Sequence, residues 1–221
     1  MSTPLVRTTR LATAYRRYLS TADGVEFATA VAESYSPATL AHLLSRGDVE
    51  LRRAAALALG TVGQRSSIDP LGRALADPDR GVRLVADDSF RLQVSRDAAP
   101  LHHQQLLQCM HAIDGGQYAG ALPLVMILCD RAPLYAEAHH QLGVCWQGLD
   151  DFEAASRAYS ACLWRCRFHY PAWLGWARCR ESLGDDRAAI RGYERANEIL
   201  PDLEIARLSI RALRRRQQGK R

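Results

Sequence analysis

Apolar positions recur with a helical period along most of this chain, and the pattern repeats. From Ser36, the stretch SPATLAHLLSRGDVELRRAAALALGTVG is followed by SSIDPLGRALADPDRGVRLVADDSFRLQV. Four positions of the first copy, Leu51, Arg52, Ala55 and Leu59, fall over Val82, Arg83, Ala86 and Phe90 of the second, 31 positions later. Each copy predicts a short helix, a turn that contains Asp, and a longer helix. Asp48 and Asp79 lie where a side-chain oxygen can cap the second helix.

A second and longer period begins at His102. The segments His102 to Tyr135, Ala136 to His169 and Tyr170 to Leu203 align without gaps, 34 positions apart. Small residues coincide at Ala121, Ala155 and Ala189, while Val125, Tyr159 and Tyr193 share a bulky position. Each segment predicts two helices joined by a polar turn. Pro123 lies inside the second helix of the first segment, where it should kink or shorten that helix.

Such hairpins cannot bury their apolar faces alone, so neighbours must stack. The pattern therefore predicts an all-α fold, an α-solenoid of helical hairpins. We expect a helical extension at residues 1–35, the first repeats at 36–97 and the three longer repeats at 102–203. Residues 204–221 should form a final helix that covers the third hairpin, followed by a basic tail.

Both periods resemble known repeat families. The stretches GDVELRRAAALALG and PDRGVRLVADDSF resemble the HEAT-like repeat of the class first noted in phycobilisome lyases. The stretch AEAHHQLGVCWQGLDDFEAASRAYSACL resembles the tetratricopeptide repeat. The second resemblance implies a protein–protein interaction scaffold or adaptor, whose concave surface holds a peptide or helix of a partner protein.

In the tetratricopeptide family the groove is lined by the first helix of each repeat. The resemblance places eleven residues there: His103, Leu106, Met110, Ile113, Glu137, His140, Val144, Gln147, Leu174, Arg178 and Glu181. Contact should centre on Met110, His140, Val144 and Arg178, with Arg178 pairing with an acidic group. The Lys and Asn with which some members clamp a terminal carboxylate are replaced by Leu106 and Met110, so that clamp is not expected.

The charge and hydropathy of the chain argue against several classes of protein. Of 221 residues, 48% are hydrophobic, and the net charge of +5 arises from basic ends on an acidic middle. The longest apolar run, Ala119 to Cys129, is too short to span a bilayer, and nothing resembles a secretory signal. A cytoplasmic protein is expected, although the Arg-rich start superficially resembles a transit peptide. The tail RLSIRALRRRQQGKR lacks aromatic residues for base stacking, which favours an acidic protein partner over nucleic acid.

The six Cys residues are better explained by packing between helices than by metal binding or catalysis. Cys109, Cys145 and Cys179 hold repeat positions between helices, so we predict buried, reduced and unliganded thiols. Cys162, Cys166 and His169 could face one side of a helix as metal ligands, but no paired C-x-x-C set accompanies them. No metal site is therefore predicted.

Enzyme signatures are missing from the sequence. There is no G-x-S-x-G elbow and no G-x-x-x-x-G-K-[ST] phosphate loop. The sequence thus predicts no catalytic residue, no cofactor and a non-enzymatic role. Two alternatives remain: a lyase-like or accessory protein that binds a prosthetic group, and a structural subunit whose groove is filled by its own N-terminal helix.

Overall fold

The computed structural model describes residues 9–219, and every regular element in that range is helical. The predicted all-α class is confirmed. A short 3-10 turn occupies Arg65–Ser67. The helices, in chain order, are α1 Arg10–Thr21, α2 Gly24–Ser34, α3 Pro37–Arg46, α4 Val49–Val62, α5 Ile68–Ala74, α6 Arg80–Ser95, α7 Pro100–Asp114, α8 Tyr118–Arg131, α9 Ala136–Gly148, α10 Phe152–Arg165, α11 Tyr170–Ser182, α12 Asp186–Ile199 and α13 Glu204–Gly219.

The helices form two compact units. The first ends at Gln93 and the second begins at Val94, so the boundary lies inside α6, a few residues before the expected junction. Within residues 9–219 no helix combines the length and the hydropathy that a bilayer crossing requires.

In the first unit, the two copies of the 31-residue repeat form equivalent hydrogen bonds at equivalent positions. Asp48 caps α4 by accepting from the Leu51 N–H at 2.8 Å, and Asp79 accepts from the Val82 N–H at 2.9 Å at the start of α6. Arg52 and Arg83 each donate from Nη1, at 3.1 Å, to the carbonyl five positions earlier. Both predicted N-caps are therefore confirmed.

Two ion pairs join the first HEAT-like hairpin to the turn of the second. Arg52 donates from Nε and Nη2 to the two Asp77 carboxylate oxygens at 2.8 and 2.9 Å. Arg53 bonds Asp79 in the same way, with distances of 2.9 to 3.1 Å. The Arg52–Asp77 pair is the better shielded, with side chains 17% and 9% exposed. Planar guanidinium groups suit such two-point contacts with carboxylates.

The second unit consists of three hairpins, α7–α8, α9–α10 and α11–α12, followed by α13. Each inter-helix turn places one residue in the left-handed backbone region, at Gly116 (φ 74°), Asp150 (φ 61°) and Gly184 (φ 78°). These positions are 34 residues apart, so the turns share one geometry. Because a Cβ atom makes this backbone costly, glycine suits two of the turns, and Asp150 is among the few residue types that tolerate it.

Small residues let the paired helices approach one another. Ala121, Ala155 and Ala189 have no exposed surface, and Tyr159 and Tyr193 are 2% exposed. These residues occupy the packing positions that the 34-residue period predicted. The helix α8 contains Pro123 yet is 14 residues long, like α10 and α12, so the proline does not shorten it.

The final helix α13 packs on α12 through a small apolar contact. Ala206 and Leu213 are buried, seven positions apart on one face, whereas Ile205 and Leu208 are about half exposed. Ion pairs assist the contact, with Arg214 bonding Glu194 and Arg216 bonding Asp186. Part of the basic tail is thus neutralised by α12.

Candidate functional site

A groove on the second unit is the candidate site. It has a volume of about 360 Å³ and lies on the exposed side of α9 and α11, with contributions from α8 and α10. Its lining combines apolar, aromatic and hydrogen-bonding side chains: Tyr118, His140, Val144, Gln147, Gly148, Tyr159, Pro171, Leu174, Gly175 and Arg178. A volume of this order accommodates one or two side chains of a ligand.

The Tyr159 ring determines the floor of the groove. It lies between Gly143 on α9 and Gly175 on α11, and a Cβ atom at position 143 would approach the ring carbon Cδ1 to 2.6 Å. Two helices can therefore close around the ring only because both positions lack a side chain. The ring joins α9, α10 and α11 while its edge still reaches the groove.

Two tyrosine hydroxyl groups hold polar side chains at the ends of the first helices. Tyr159 donates to Gln147 Oε1 at 2.8 Å, and Tyr193, 34 positions later, donates to Glu181 Oε2 at 3.1 Å. Burial raises the pKa of both phenols, so they remain neutral donors. The equivalent residues of the first hairpin, Ile113 and Val125, are apolar and buried. Only the second and third hairpins carry this contact.

Among the ten lining residues, Arg178 is the one whose side chain carries a permanent positive charge. It is exposed, and among the described residues it forms no ion pair and no hydrogen bond. None of the ten lining residues is acidic. The amide nitrogen of Gln147 has no partner among the described residues either, because the contact with Tyr159 uses the oxygen. The polar part of the groove thus consists mainly of hydrogen-bond donors.

A cluster of three side chains, Glu137, His140 and His169, lies at the groove wall, with His169 buried and the other two partly exposed. Glu137 Oε1 is 3.0 Å from His140 Nδ1 and accepts from Gln141 Nε2 at 2.7 Å. Glu137 Oε2 is 2.9 Å from Nε2 of His169, which is 3% exposed. Although burial by itself favours the neutral acid, the two imidazoles hold the pKa of Glu137 well below its usual range. Glu137 is therefore an ionised carboxylate that only accepts hydrogen bonds.

These contacts determine which ring nitrogen of each histidine carries the proton. His169 caps α11 with Nδ1, which accepts from the Ala172 N–H at 3.1 Å. Its proton must then lie on Nε2, from which it donates to Glu137. His140 donates to Glu137 from Nδ1, which leaves Nε2 of this groove-lining ring without a partner among the described residues.

The same three residues are a geometric candidate for a metal site, since Glu137, His140 and His169 offer ligand atoms within 4.8 Å of one another. A metal ion at His169 Nε2 would require the proton to move to Nδ1, where it would face the Ala172 N–H. The helix cap would be lost. The cluster is better described as a hydrogen-bonded network, one that the sequence did not predict.

The structure places five of the eleven expected groove residues in the groove: His140, Val144, Gln147, Leu174 and Arg178. Two others were expected there wrongly, since Leu106 and Ile113 are 0% and 7% exposed in the core of the first hairpin. They lie seven positions apart on the face of α7 that packs inward, and neither lines the groove.

The four remaining residues have other roles. Met110 packs against the core of the first hairpin, and His103 donates from Nδ1 to the Ser95 carbonyl at 2.7 Å. Glu137 lies behind the groove wall, and Glu181 accepts from Tyr193. Of the four residues expected at the centre of the groove, His140, Val144 and Arg178 line it and Met110 does not.

Tyr118, Tyr159 and Pro171 line the groove but were not predicted to do so. Tyr159 was assigned to packing, which is correct for its ring, but its hydroxyl group reaches the Gln147 amide. His169 was considered only with Cys162 and Cys166 as a metal ligand, whereas the structure pairs it with Glu137. The 34-residue alignment could have given a signal, since His169 closes the second repeat immediately before the Tyr170 and Pro171 start of α11.

All six cysteines are buried, as predicted for Cys109, Cys145 and Cys179. Burial raises the pKa of the Cys145 and Cys179 thiols to about 11 and that of Cys129 to about 12. The thiol form is therefore strongly favoured at neutral pH.

Comparison with known protein families supports the HEAT-like repeats in the first part of the chain. The family of HEAT repeats matches residues 26–89, about ten residues earlier than the expected start, so α2 belongs to the matched region. No family match covers the region that resembles tetratricopeptide repeats. No curated protein matches the sequence.

Several solved structures are weakly similar to the chain. A MamA mutant is 17% identical and covers 75% of this chain and 98% of its own, with a TM-score of 0.43. MamA AMB-1 is 15% identical, with coverage of 87% and 98% and a TM-score of 0.42. MamA MSR-1 is 17% identical, with coverage of 85% and 95% and a TM-score of 0.41. At these values no role is transferred from MamA to this chain.

Proposed function

We propose that the chain is a non-enzymatic protein-interaction scaffold, whose groove on α9 and α11 holds a peptide or a helix of a partner protein. The observation that carries the proposal is the combination of side chains in the groove. Val144, Leu174 and Pro171 offer apolar contact, while Arg178 and the Gln147 amide offer donors that no other described residue uses. A peptide presents both apolar side chains and carbonyl acceptors.

The tetratricopeptide resemblance of residues 102–203 supports the same surface, since in that family the first helices line the groove. Packing within the second unit uses the floor of this groove but not Arg178, whose side chain is exposed. The ring of Tyr159 and the small residues on α10 and α12 join the hairpins from within, whereas Arg178 is exposed. A partner can therefore bind without rearrangement of the core.

The alternative in which the N-terminal helix fills the groove does not apply to α1. Leu11 and Tyr15 of this helix are 0% and 7% exposed, and α1 packs against α2 and α4 within the first unit. The apolar face of α1 is thus occupied within the first unit.

The test is a selection of 12-residue peptides from a displayed library on the wild-type protein. Selected peptides are then measured by calorimetry on Val144→Arg, which places a long side chain in the groove. Leu124→Arg is the matched control, because Leu124 is 52% exposed on α8 and does not line the groove. We expect Val144→Arg to weaken binding at least tenfold and Leu124→Arg to change it less than twofold.

A second measurement avoids reliance on the variant. Methyl NMR spectra of the wild-type protein should show shifts of Val144 and Leu174 when a selected peptide is added, and little change at Leu124. Peptides that leave the Val144 and Leu174 signals in place, and that bind Val144→Arg normally, would refute the groove as the binding surface.

A further inference from the structure

The groove contains the positive charge of Arg178, and none of its lining residues carries a negative charge. Other arginines of the second unit, such as Arg214 and Arg216, are paired with acids on α12. Arg178 lies in a concave surface beside Leu174 and Val144 and has no acidic neighbour in the lining. A cation held beside apolar surface is less fully hydrated than one on an open face, so an incoming anion gains more from pairing with it.

His140 lies in the same groove, and its orientation is imposed from behind. Its Nδ1 donates at 3.0 Å to the Glu137 carboxylate, which is 13% exposed. Glu137 is in turn held by Gln141 Nε2 at 2.7 Å and by His169 Nε2 at 2.9 Å. His169 is fixed by its bond from the Ala172 N–H. This chain of contacts locks the imidazole ring and leaves Nε2 as the atom available to a ligand.

The same contact decides which hydrogen-bonding role His140 presents to the groove. With its proton on Nδ1, the ring exposes the lone pair of Nε2, which accepts a hydrogen bond and does not donate one. The donors of the groove are then the Arg178 guanidinium and the Gln147 amide, and no lining side chain is acidic.

Resting on the function proposed above, we infer that the partner segment enters the groove with an acidic side chain, which Arg178 and the Gln147 amide bind together. The carboxylate of an Asp or Glu side chain has two oxygens and can accept from both the guanidinium and the amide. His140 accepts at Nε2 from an N–H of the same segment, and Glu137 is a positioning residue that acts through His140 and does not itself touch the partner. The apolar residues of the groove bind the neighbouring side chains of the same segment.

The experiment uses the library-selected peptides that Val144→Arg rejects. We expect them to share an Asp or Glu at one position, and replacement of that residue by Asn or Gln to weaken binding at least tenfold. Arg178→Gln should weaken binding of the parent peptide by a similar factor and should have little effect on binding of the amide peptide. Arg187→Gln is the matched control, since Arg187 is exposed on α12 and does not line the groove.

The role of Glu137 requires a readout that a purely structural role would not change. Nitrogen NMR of the imidazole rings at alkaline pH should show the neutral His140 ring protonated on Nδ1. In Glu137→Gln the side-chain amide can donate to Nδ1, so the ring proton should move to Nε2. An unchanged ring proton, with unchanged peptide affinity, would remove Glu137 from the site.

The outcomes separate the two proposals. Peptides that depend on Val144 but carry no acidic residue, or that ignore Arg178→Gln, would overturn the acidic-side-chain inference and leave the groove as the binding surface. Peptides that bind regardless of Val144→Arg would overturn the groove itself.

Discussion

The ring of Tyr159 occupies the space that a side chain at Gly143 would need, since a Cβ atom there would lie 2.6 Å from the ring carbon Cδ1. We expect Gly143→Ala to lower the free energy of unfolding of the second unit by about 1–2 kcal/mol, because overpacking outweighs the gain in helix propensity. Gly120→Ala is the control. Nothing lies within 4 Å of a Cβ atom at this position of α8, so alanine should stabilise by roughly 0.5–1 kcal/mol.

Tryptophan fluorescence during urea unfolding checks this prediction. All four tryptophans lie between Trp146 and Trp176, so the signal reports the second unit alone. Equal stability of Gly143→Ala and Gly120→Ala would show that the Tyr159 ring can move aside at little cost.

The shielded pair of Arg52 and Asp77 should contribute strongly to the first unit. Asp77→Asn removes the charge that two guanidinium N–H groups contact, and we expect a loss of about 2–3 kcal/mol. Glu26→Gln removes a charge from the exposed pair with Arg17, whose side chains are 67% and 38% exposed, and should cost under about 1 kcal/mol.

Circular dichroism at 222 nm measures the unfolding of these two variants, and tryptophan fluorescence of the second unit serves as an internal reference. If Asp77→Asn is no less stable than Glu26→Gln, the pair between the two HEAT-like hairpins has no structural importance.

Acid should destabilise the second unit through His169. Burial lowers the pKa of His169 below 6.5 in the folded state, so on acidification the unfolded chain binds this proton first. The contribution to stability is therefore complete above about pH 6.5 and is lost as the pH falls toward the folded-state pKa. The lowered pKa of Glu137 has the same sign, but acts below about pH 4.5.

His169→Asn isolates this effect, because asparagine retains a capping oxygen for α11 but does not titrate. Urea unfolding at pH 7.5 and pH 5.5 should show a smaller loss of stability in the variant than in the wild-type protein. His139, whose pKa is also lowered by burial, contributes to both proteins alike. Identical losses would mean that His169 takes up its proton as easily in the folded protein as in the unfolded chain.

The cysteines should react slowly with a thiol reagent in the native protein. All six are buried, and burial raises the pKa of Cys109, Cys129, Cys145, Cys162 and Cys179. Labelling with an aromatic disulfide should be at least a hundredfold slower than in denaturant. Ser182→Cys introduces an exposed thiol on α11 and should label rapidly, as a positive control. Rapid labelling of Cys109, Cys145 or Cys179 would contradict their assignment to packing positions.

Several features could be predicted from the sequence because they depend on local and periodic properties. The 31- and 34-residue periods predicted the helix pairs, since an amphipathic helix and its cap are determined by residues within a few positions of one another. Asp48, Asp151 and Asp185 accept from backbone N–H groups three positions later, which sequence spacing alone specifies. The packing positions of Ala121, Ala155 and Ala189 followed from the same alignment.

Which residues line the groove could not be predicted from the sequence, because the tertiary structure decides it. Leu106 and His140 were both assigned to it by alignment, yet Leu106 is in the core and His140 lines the cavity, because the rotation of each helix toward its neighbours decides which face stays open. The network of Glu137 and His169 joins residues 32 positions apart. Its hydrogen bonds exist only because packing of α9 against α11 excludes water there, and no local pattern encodes that exclusion.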